Sequence, residues 1–235
     1  MNTPLSRLFW ETEWLACTAC KDIVPYRSQV VPGHGNPKSG LVFFGEAPGE
    51  NEDQCGIPFV GKAGNLLRGY IWKLAALEED EFFLDNVVMC RPTRQTGEEL
   101  RNREPTAQEV HNCRERLLGT VYELDPLLIV ALGGTALRAL TGETKAISKA
   151  RGEMFHITVP GVMTDVTYPV LATYHPSFLV RQRSQAKVTN SCWATMRDDL
   201  ILAVNIYDQL RAQYHGIEPP NRRALMEQRQ EHADE

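Results

Sequence analysis

Four acids, Glu46, Glu50, Glu52 and Asp53, follow the apolar segment Leu41-Val42-Phe43-Phe44, with the turn formers Gly45, Pro48 and Gly49 between and among them. An apolar run that meets Gly and Pro reads as a buried strand ending in a forced turn, which gathers the carboxylates at the strand's carboxyl edge. Carboxylates in such a place can orient water or move protons. In open parallel sheets that edge is where ligands bind. Two further groups fit the same kind of edge. His175 stands just before a proline in Thr173-Tyr174-His175-Pro176-Ser177, and Asn86 ends the apolar start of Phe82 to Met89. A buried Asn must satisfy an acceptor and two donors, so Asn86 is either a turn former or a reader of a ligand's edge.

The chain has six cysteines, and Cys17-Thr18-Ala19-Cys20 has the two-residue gap that lets two thiolates face one ion. Cys90 and Cys113 complete a set of four ligands drawn from distant segments, which suits a bridging cluster better than the paired knuckles of a zinc finger. The thiols alone leave zinc open, and Cys90 and Cys113 also read as small buried apolar residues. The run Gly56-Ile57-Pro58-Phe59-Val60-Gly61-Lys62-Ala63 nearly spells a phosphate-binding loop. Ala63 offers no hydroxyl for magnesium and Pro58 no N–H for phosphate, so the loop suits a wall for something flat and apolar better than a nucleotide cradle.

The elements that must position these groups are legible as an alternation. Apolar runs recur at Leu41–Phe44, Phe82–Met89, Leu127–Leu132 and Val170–Tyr174, and helix-like patterns lie between them over Ala63–Leu77, Thr106–Leu124 and Gly134–Leu140. Thr106 and Glu109 form a capping box after Pro105. Alternation of this kind reads as parallel strands joined by helices. A last helix is expected from about Asn190 to Leu210, with Trp193, Met196, Leu200, Val204 and Tyr207 at helical spacing.

With 235 residues and 43% hydrophobic content, the chain is expected to form one domain over 1–214 whose first 39 residues carry the cysteine pair, followed by a polar tail, 215–235, of frayed helix or disorder. No apolar run is long enough to span a bilayer and the N-terminus lacks a signal-peptide pattern, so a soluble cytoplasmic protein without a membrane partner is expected. A net charge of -5 means that nucleic acid would be met by a local patch, with candidates in Arg91 to Arg103 and in Arg181, Arg183 and Lys187.

Several separated motifs, in one order, carry a resemblance: Gly45-Glu46-Ala47-Pro48-Gly49 with Glu52-Asp53, Pro58-Phe59-Val60-Gly61, Asn86 to Pro92, Asn102-Arg103 with Pro105-Thr106, Arg151-Gly152 and His175-Pro176-Ser177. Together they resemble the family 4 uracil-DNA glycosylases, the iron-sulfur enzymes of bacteria and archaea, over roughly Cys17 to Leu200. The resemblance implies a three-layer α/β/α fold with a central four-stranded parallel sheet. It also implies a 4Fe-4S cluster on Cys17, Cys20, Cys90 and Cys113, and hydrolysis of the bond between uracil and deoxyribose by a monomer acting on single- or double-stranded DNA.

By the same resemblance, the uracil site consists of Ala47, Phe59, Asn86 and His175. Phe59 stacks on the base, Asn86 reads its edge, and His175 donates to O2 as the base departs. Ala47 stands where a related family keeps an Asp. Glu52 is then expected to position the water, with Glu46 and Asp53 holding the loop, while Leu179 wedges into the gap left by the flipped base and Arg181 and Arg183 grip the backbone. Rival readings are a superfamily member trapped covalently on uracil and a binding module without catalysis. The Cys90 to Cys113 segment, with Arg94 to Leu100 inside it, is longer than this family usually shows, and Cys55 is an additional thiol beside the loop.

Overall fold

The structure is a computed structural model that describes residues 14–184 and 190–231, the side chains of 74, 182–184, 190–193, 230 and 231 lying outside that description. Strands β1 (His34–Gly35), β2 (Leu41–Gly45) and β3 (Phe83–Asn86) are followed by the hairpin of β4 (Thr93–Thr96) and β5 (Glu99–Asn102), and then by β6 (Leu128–Leu132), β7 (Met154–Val159) and β8 (Val166–Thr173). The main sheet has six strands in the order β1-β3-β2-β6-β8-β7. The expected four-stranded parallel sheet is thus widened. The four runs visible as apolar segments pair in parallel, and β1 and β7 add antiparallel edges. Strand β7 was missed because only alternate residues are buried, so it forms no continuous apolar run. The chain leaves β2 toward β3 on one side and returns to β6 on the other. This is a topological switch point, and such points open a crevice at the carboxyl ends of the strands.

Helices α1 (Glu50–Cys55), α2 (Lys62–Ala75), α3 (Ala107–Asn112), α4 (Arg114–Leu124), α5 (Gly134–Thr141), α6 (Ile147–Ala150), α7 (Pro176–Ser184), α8 (Asn190–His215) and α9 (Arg222–Glu231) complete the described elements. Successive strand residues face opposite sides. Val42, Phe44 and Ile129 therefore pack with Leu117 and Val121 of α4 and Leu137 of α5, whereas Leu41, Phe43 and Leu128 pack with Leu67 and Ile71 of α2 and Leu200 and Val204 of α8. Both faces are covered, which is why β2 and β6 read as continuous apolar runs.

Two helical expectations change. The pattern over 106–124 is two helices that meet at Cys113, which closes α3 as its C-cap and opens α4 as its N-cap. The capping box of Thr106 and Glu109 is present, and Arg103 grips the same Glu109 carboxylate with two N–H donors. The tail holds α9, whose Arg222 donates to both oxygens of Asp208 at 2.8 and 2.9 Å and to the Ala76 carbonyl at 2.8 Å. Trp193 and Lys187 lie outside the described side chains. The Cys90 to Cys113 segment, expected to be long for the family, contains the β4–β5 hairpin. Arg91 binds Asn102 Oδ1 at 2.7 Å and so closes the base of that hairpin.

Candidate uracil pocket and cysteine site

A cleft of about 920 Å³ opens at the switch point, with Glu46, Ala47, Phe59, Asn86 and His175 all in its wall. Glu46 and Ala47 follow β2, Asn86 ends β3, His175 follows β8 and Phe59 stands in the turn before α2. Strands β2 and β3 are in register with Gly45 opposite Asn86, and the pairing runs past the strand ends through Val87 N–H to the Gly45 carbonyl at 3.0 Å. A Cβ at Gly45 would lie 2.5 Å from both Asn86 Oδ1 and Phe59 Cζ. The missing side chain is what lets ring and carboxamide converge. Phe59 itself has a φ of 59°, a left-handed backbone uncommon outside glycine. Its carbonyl is held by Arg68 Nε at 3.3 Å.

Gly133, which follows β6 and caps α5, has a φ of +92°, and a Cβ there would lie 3.0 Å from His175 Cβ. The His175 and Phe59 ring centroids stand 6.4 Å apart. His175 Nδ1 accepts the Ser177 backbone N–H at 3.1 Å and lies 2.8 Å from Ser177 Oγ. An imidazole nitrogen that accepts carries no proton, so in the neutral ring Nε2 is the N–H donor. Burial, and then the charge of Arg181, depress this histidine's pKa to about 4, which keeps the ring neutral at physiological pH.

The acids divide differently from the expectation. Glu52 Oε2 accepts the Gly49 N–H at 3.1 Å and Oε1 the Gly61 N–H at 2.8 Å, so its carboxylate ties the two ends of the acidic loop together. Asp53 is buried and takes the Ser28 N–H on both oxygens, at 3.0 and 2.9 Å. Glu50 lies 3.4 Å from Arg91. Glu46 faces the cleft. Burial pushes its carboxyl pKa up, while a hydrogen bond from the Thr135 side chain and, more weakly, Arg181 pull it down.

Leu179 is fully buried among Leu67, Met196 and Leu200 and cannot be a wedge, because α7 turns that position into the core. Its neighbours Val180 and Arg181 line the cleft instead. The Arg183 side chain lies outside the described ones. Thr135, Arg138 and Ser148 also line the cleft and had not been singled out from sequence. Only Thr135 carried a signal, since it opens a helix directly after the glycines that end an apolar run.

Cys20, Cys90 and Cys113 are buried, Cys17 is partly so, and Cys55 is exposed. Burial pushes the Cys90 thiol pKa up to about 12, against the charge of Arg27, with Cys113 and Cys17 pushing the same way. Burial likewise raises that of Cys113, with weaker contributions from Cys20 and Cys17. Arg27 Nη1 donates to Cys90 Sγ at 2.9 Å and Nη2 to the Cys17 carbonyl, while Asn112 Nδ2 lies 3.4 Å from Cys20 Sγ. Among the described residues no group of three or more His, Cys, Asp or Glu is arranged to hold a metal ion. Arg27 and Asn112 nonetheless aim N–H donors at two of the four sulfurs, those of Cys90 and Cys20.

The model of the uracil DNA glycosylase superfamily matches residues 32–197. A type-4 uracil-DNA glycosylase of Thermotoga maritima is 39% identical over 169 residues, covering 72% of this chain and 80% of the relative. Those of Sulfurisphaera tokodaii and Saccharolobus solfataricus are 34% and 35% identical, covering 81% and 71% of the relatives. The chain belongs to the type-4 uracil-DNA glycosylases. The superfamily match begins just before β1 and ends within α8, so it takes in every strand of the sheet and all the cleft residues named above. Cys17 and Cys20 precede it. The α9 tail follows it.

Proposed function

We propose that this type-4 uracil-DNA glycosylase removes uracil from DNA by hydrolysing the bond between base and sugar. The observation that carries the reading is the convergence of Phe59 and Asn86 on the bare backbone of Gly45, across the cleft from a neutral His175 whose donor is Nε2–H. A base stacked in a duplex is out of reach, so the nucleotide must swing into the cleft. Phe59 offers its face to the extruded ring and recovers part of the unstacking cost. The Asn86 carboxamide accepts from uracil N3–H and donates to O4. Cytosine presents the reverse pattern and would leave buried groups unpaired, a penalty that can discriminate by about 10⁴ to 10⁵.

As the C1′–N1 bond breaks, its electron pair leaves with the base and charge gathers on O2, where the Nε2–H of His175 donates. One such donor is worth about 3 to 4 kcal/mol of barrier. Water then adds to C1′ and releases a proton. Glu46, Glu50, Glu52 and Glu104 all line the cleft, and because the Glu52 oxygens are committed to the loop, the water-positioning role first expected of Glu52 is assigned to Glu46, beside Thr135. Around the mouth, Lys62, Arg138 and Arg181 supply the positive groups that an acidic chain needs locally to meet phosphate.

Cys17, Cys20, Cys90 and Cys113 hold a 4Fe-4S cluster in this reading. Its role is to tie the N-terminal segment to the loop after β3 and to the start of α4. The presence of Phe59, Asn86 and His175 together favours turnover over a pure binding module. The test is incubation of the purified protein with an oligonucleotide carrying one uracil. An abasic product supports the reading, a stable adduct would point to trapping, and binding without base loss to a module. Asn86→Asp should raise cytosine excision relative to uracil, and a visible absorbance band of iron-sulfur type would support the cluster.

A further inference from the structure

Behind Asn86 lies a buried ion pair that uracil recognition does not itself require. Asp85 and Arg116 are both fully buried, and Arg116 Nη1 donates to Asp85 Oδ2. The same guanidinium reaches past the carboxylate, with Nη2 donating to the Asn86 carbonyl at 2.5 Å and to the Val87 carbonyl at 3.0 Å. The other oxygen of Asp85 accepts the Asn86 N–H at 2.7 Å. One ion pair therefore grips the peptide groups on both sides of Asn86. Because strand residues alternate, Asp85 faces α4 while Asn86 faces the cleft, so the grip comes entirely from behind.

Stability alone explains this arrangement poorly. Desolvating two charges costs several kcal/mol, and apolar residues of similar volume commonly hold such a contact as well or better. Val87, Leu117 and Val121 already fill the surroundings with hydrocarbon. Moreover, Arg116 Nε is buried with no hydrogen-bond partner, so the orientation that serves the Asn86 and Val87 carbonyls leaves one donor unused. What the pair achieves is directional. It sets the backbone from which the carboxamide projects, while Gly45 and Phe59 crowd that carboxamide from the cleft side.

We infer that Arg116 and Asp85 are positioning residues that set the Asn86 carboxamide for reading the pyrimidine edge. This rests on the uracil reading above. Misplacement of a recognition group by about 1 Å can cost about 10²-fold in rate. The test compares the parent with Asp85→Asn/Arg116→Met, which removes both charges without stranding either, and with Arg116→Lys, which keeps the charge but lacks the planar guanidinium whose two nitrogens meet the Asp85 carboxylate and the two carbonyls at once. Melting curves establish folding. Single-turnover excision, inhibition by free uracil and binding to abasic-site DNA are then measured on each.

The double variant is expected to fold, to bind abasic-site DNA like the parent, and to lose about 10- to 100-fold in excision rate and in affinity for free uracil, with Arg116→Lys intermediate. A folded double variant with parental rate and uracil affinity would overturn the inference. Should the double variant fail to fold, Arg116→Lys decides: a parental rate and uracil affinity in that variant also overturn it. A parent that releases no uracil would sink the functional reading instead, so the two failures are separable.

Discussion

Glu46 and Glu52 are six residues apart and chemically identical, and what separates their roles is which N–H groups they meet. Glu52 spends one oxygen on Gly49 and the other on Gly61, whereas Glu46 shares the cleft with Thr135 and Arg181. Glu46→Gln should lower the single-turnover excision rate by about 10² or more with little change in melting temperature. Glu52→Gln should instead cost about 1.5 to 3 kcal/mol of stability, because two charge-assisted bonds weaken together. The reverse pattern in rates and melts would return the water to Glu52. His175 yields a pH prediction. Its folded-state pKa of about 4 lies below the ordinary 6.5, so the unfolded chain takes up the proton first. Its contribution to stability is therefore complete above about 6.5 and lost as pH falls toward 4. The excision rate should show no acid limb near 6.5 from this group, and a histidine titration followed by NMR would find the limb if the assignment were wrong.

At the scale of elements, the cleft depends on a place where two strands and a loop need room that only a missing side chain leaves. Gly45→Ala would put a methyl 2.5 Å from both Asn86 and Phe59. Overpacking of this kind costs about 1 to 3 kcal/mol of stability. The excision rate should fall far more than stability does, by about 10² or more, since the two recognition groups must separate; an alanine variant with parental rates would show that they need not converge. The apolar runs announced the four parallel strands because both faces of each are buried, and Thr106 announced its helix because a capping box is local chemistry. Strand β7 and the break at Cys113 were not announced. The first is half-exposed, and the second is a one-residue break inside one continuous helical pattern.

For the whole molecule, the tail is the largest departure from expectation. Its polar sequence gave no apolar stripe, yet α9 docks by charge. Arg222 is buried against Asp208, Ala76 and Glu81, and Arg229 lies over the Trp72 ring at 4.9 Å. Arg222→Ala would strand a buried carboxylate at about 3 to 5 kcal/mol. It should lower the melting temperature by about 10 °C or more, while the excision rate of the folded protein stays parental. A rate that fell in step with the melt would tie the tail to the cleft.

The identities of the residues proposed for the site, Phe59, Asn86 and His175, and of the four cysteines proposed for the cluster are fixed in the chain, as are the alternating elements that carry them. Periodicity and turn residues act over a few positions, and so can be read along a line. Which acid is committed to the loop, that Leu179 turns inward, that Arg116 stands behind Asn86 and that the tail is anchored were decided only in three dimensions. Each depends on partners distant in the chain, 9 residues away for the Glu52–Gly61 contact and 146 for the Arg222–Ala76 contact. No local pattern specifies which distant N–H, carbonyl or carboxylate a side chain will meet once the sheet has closed.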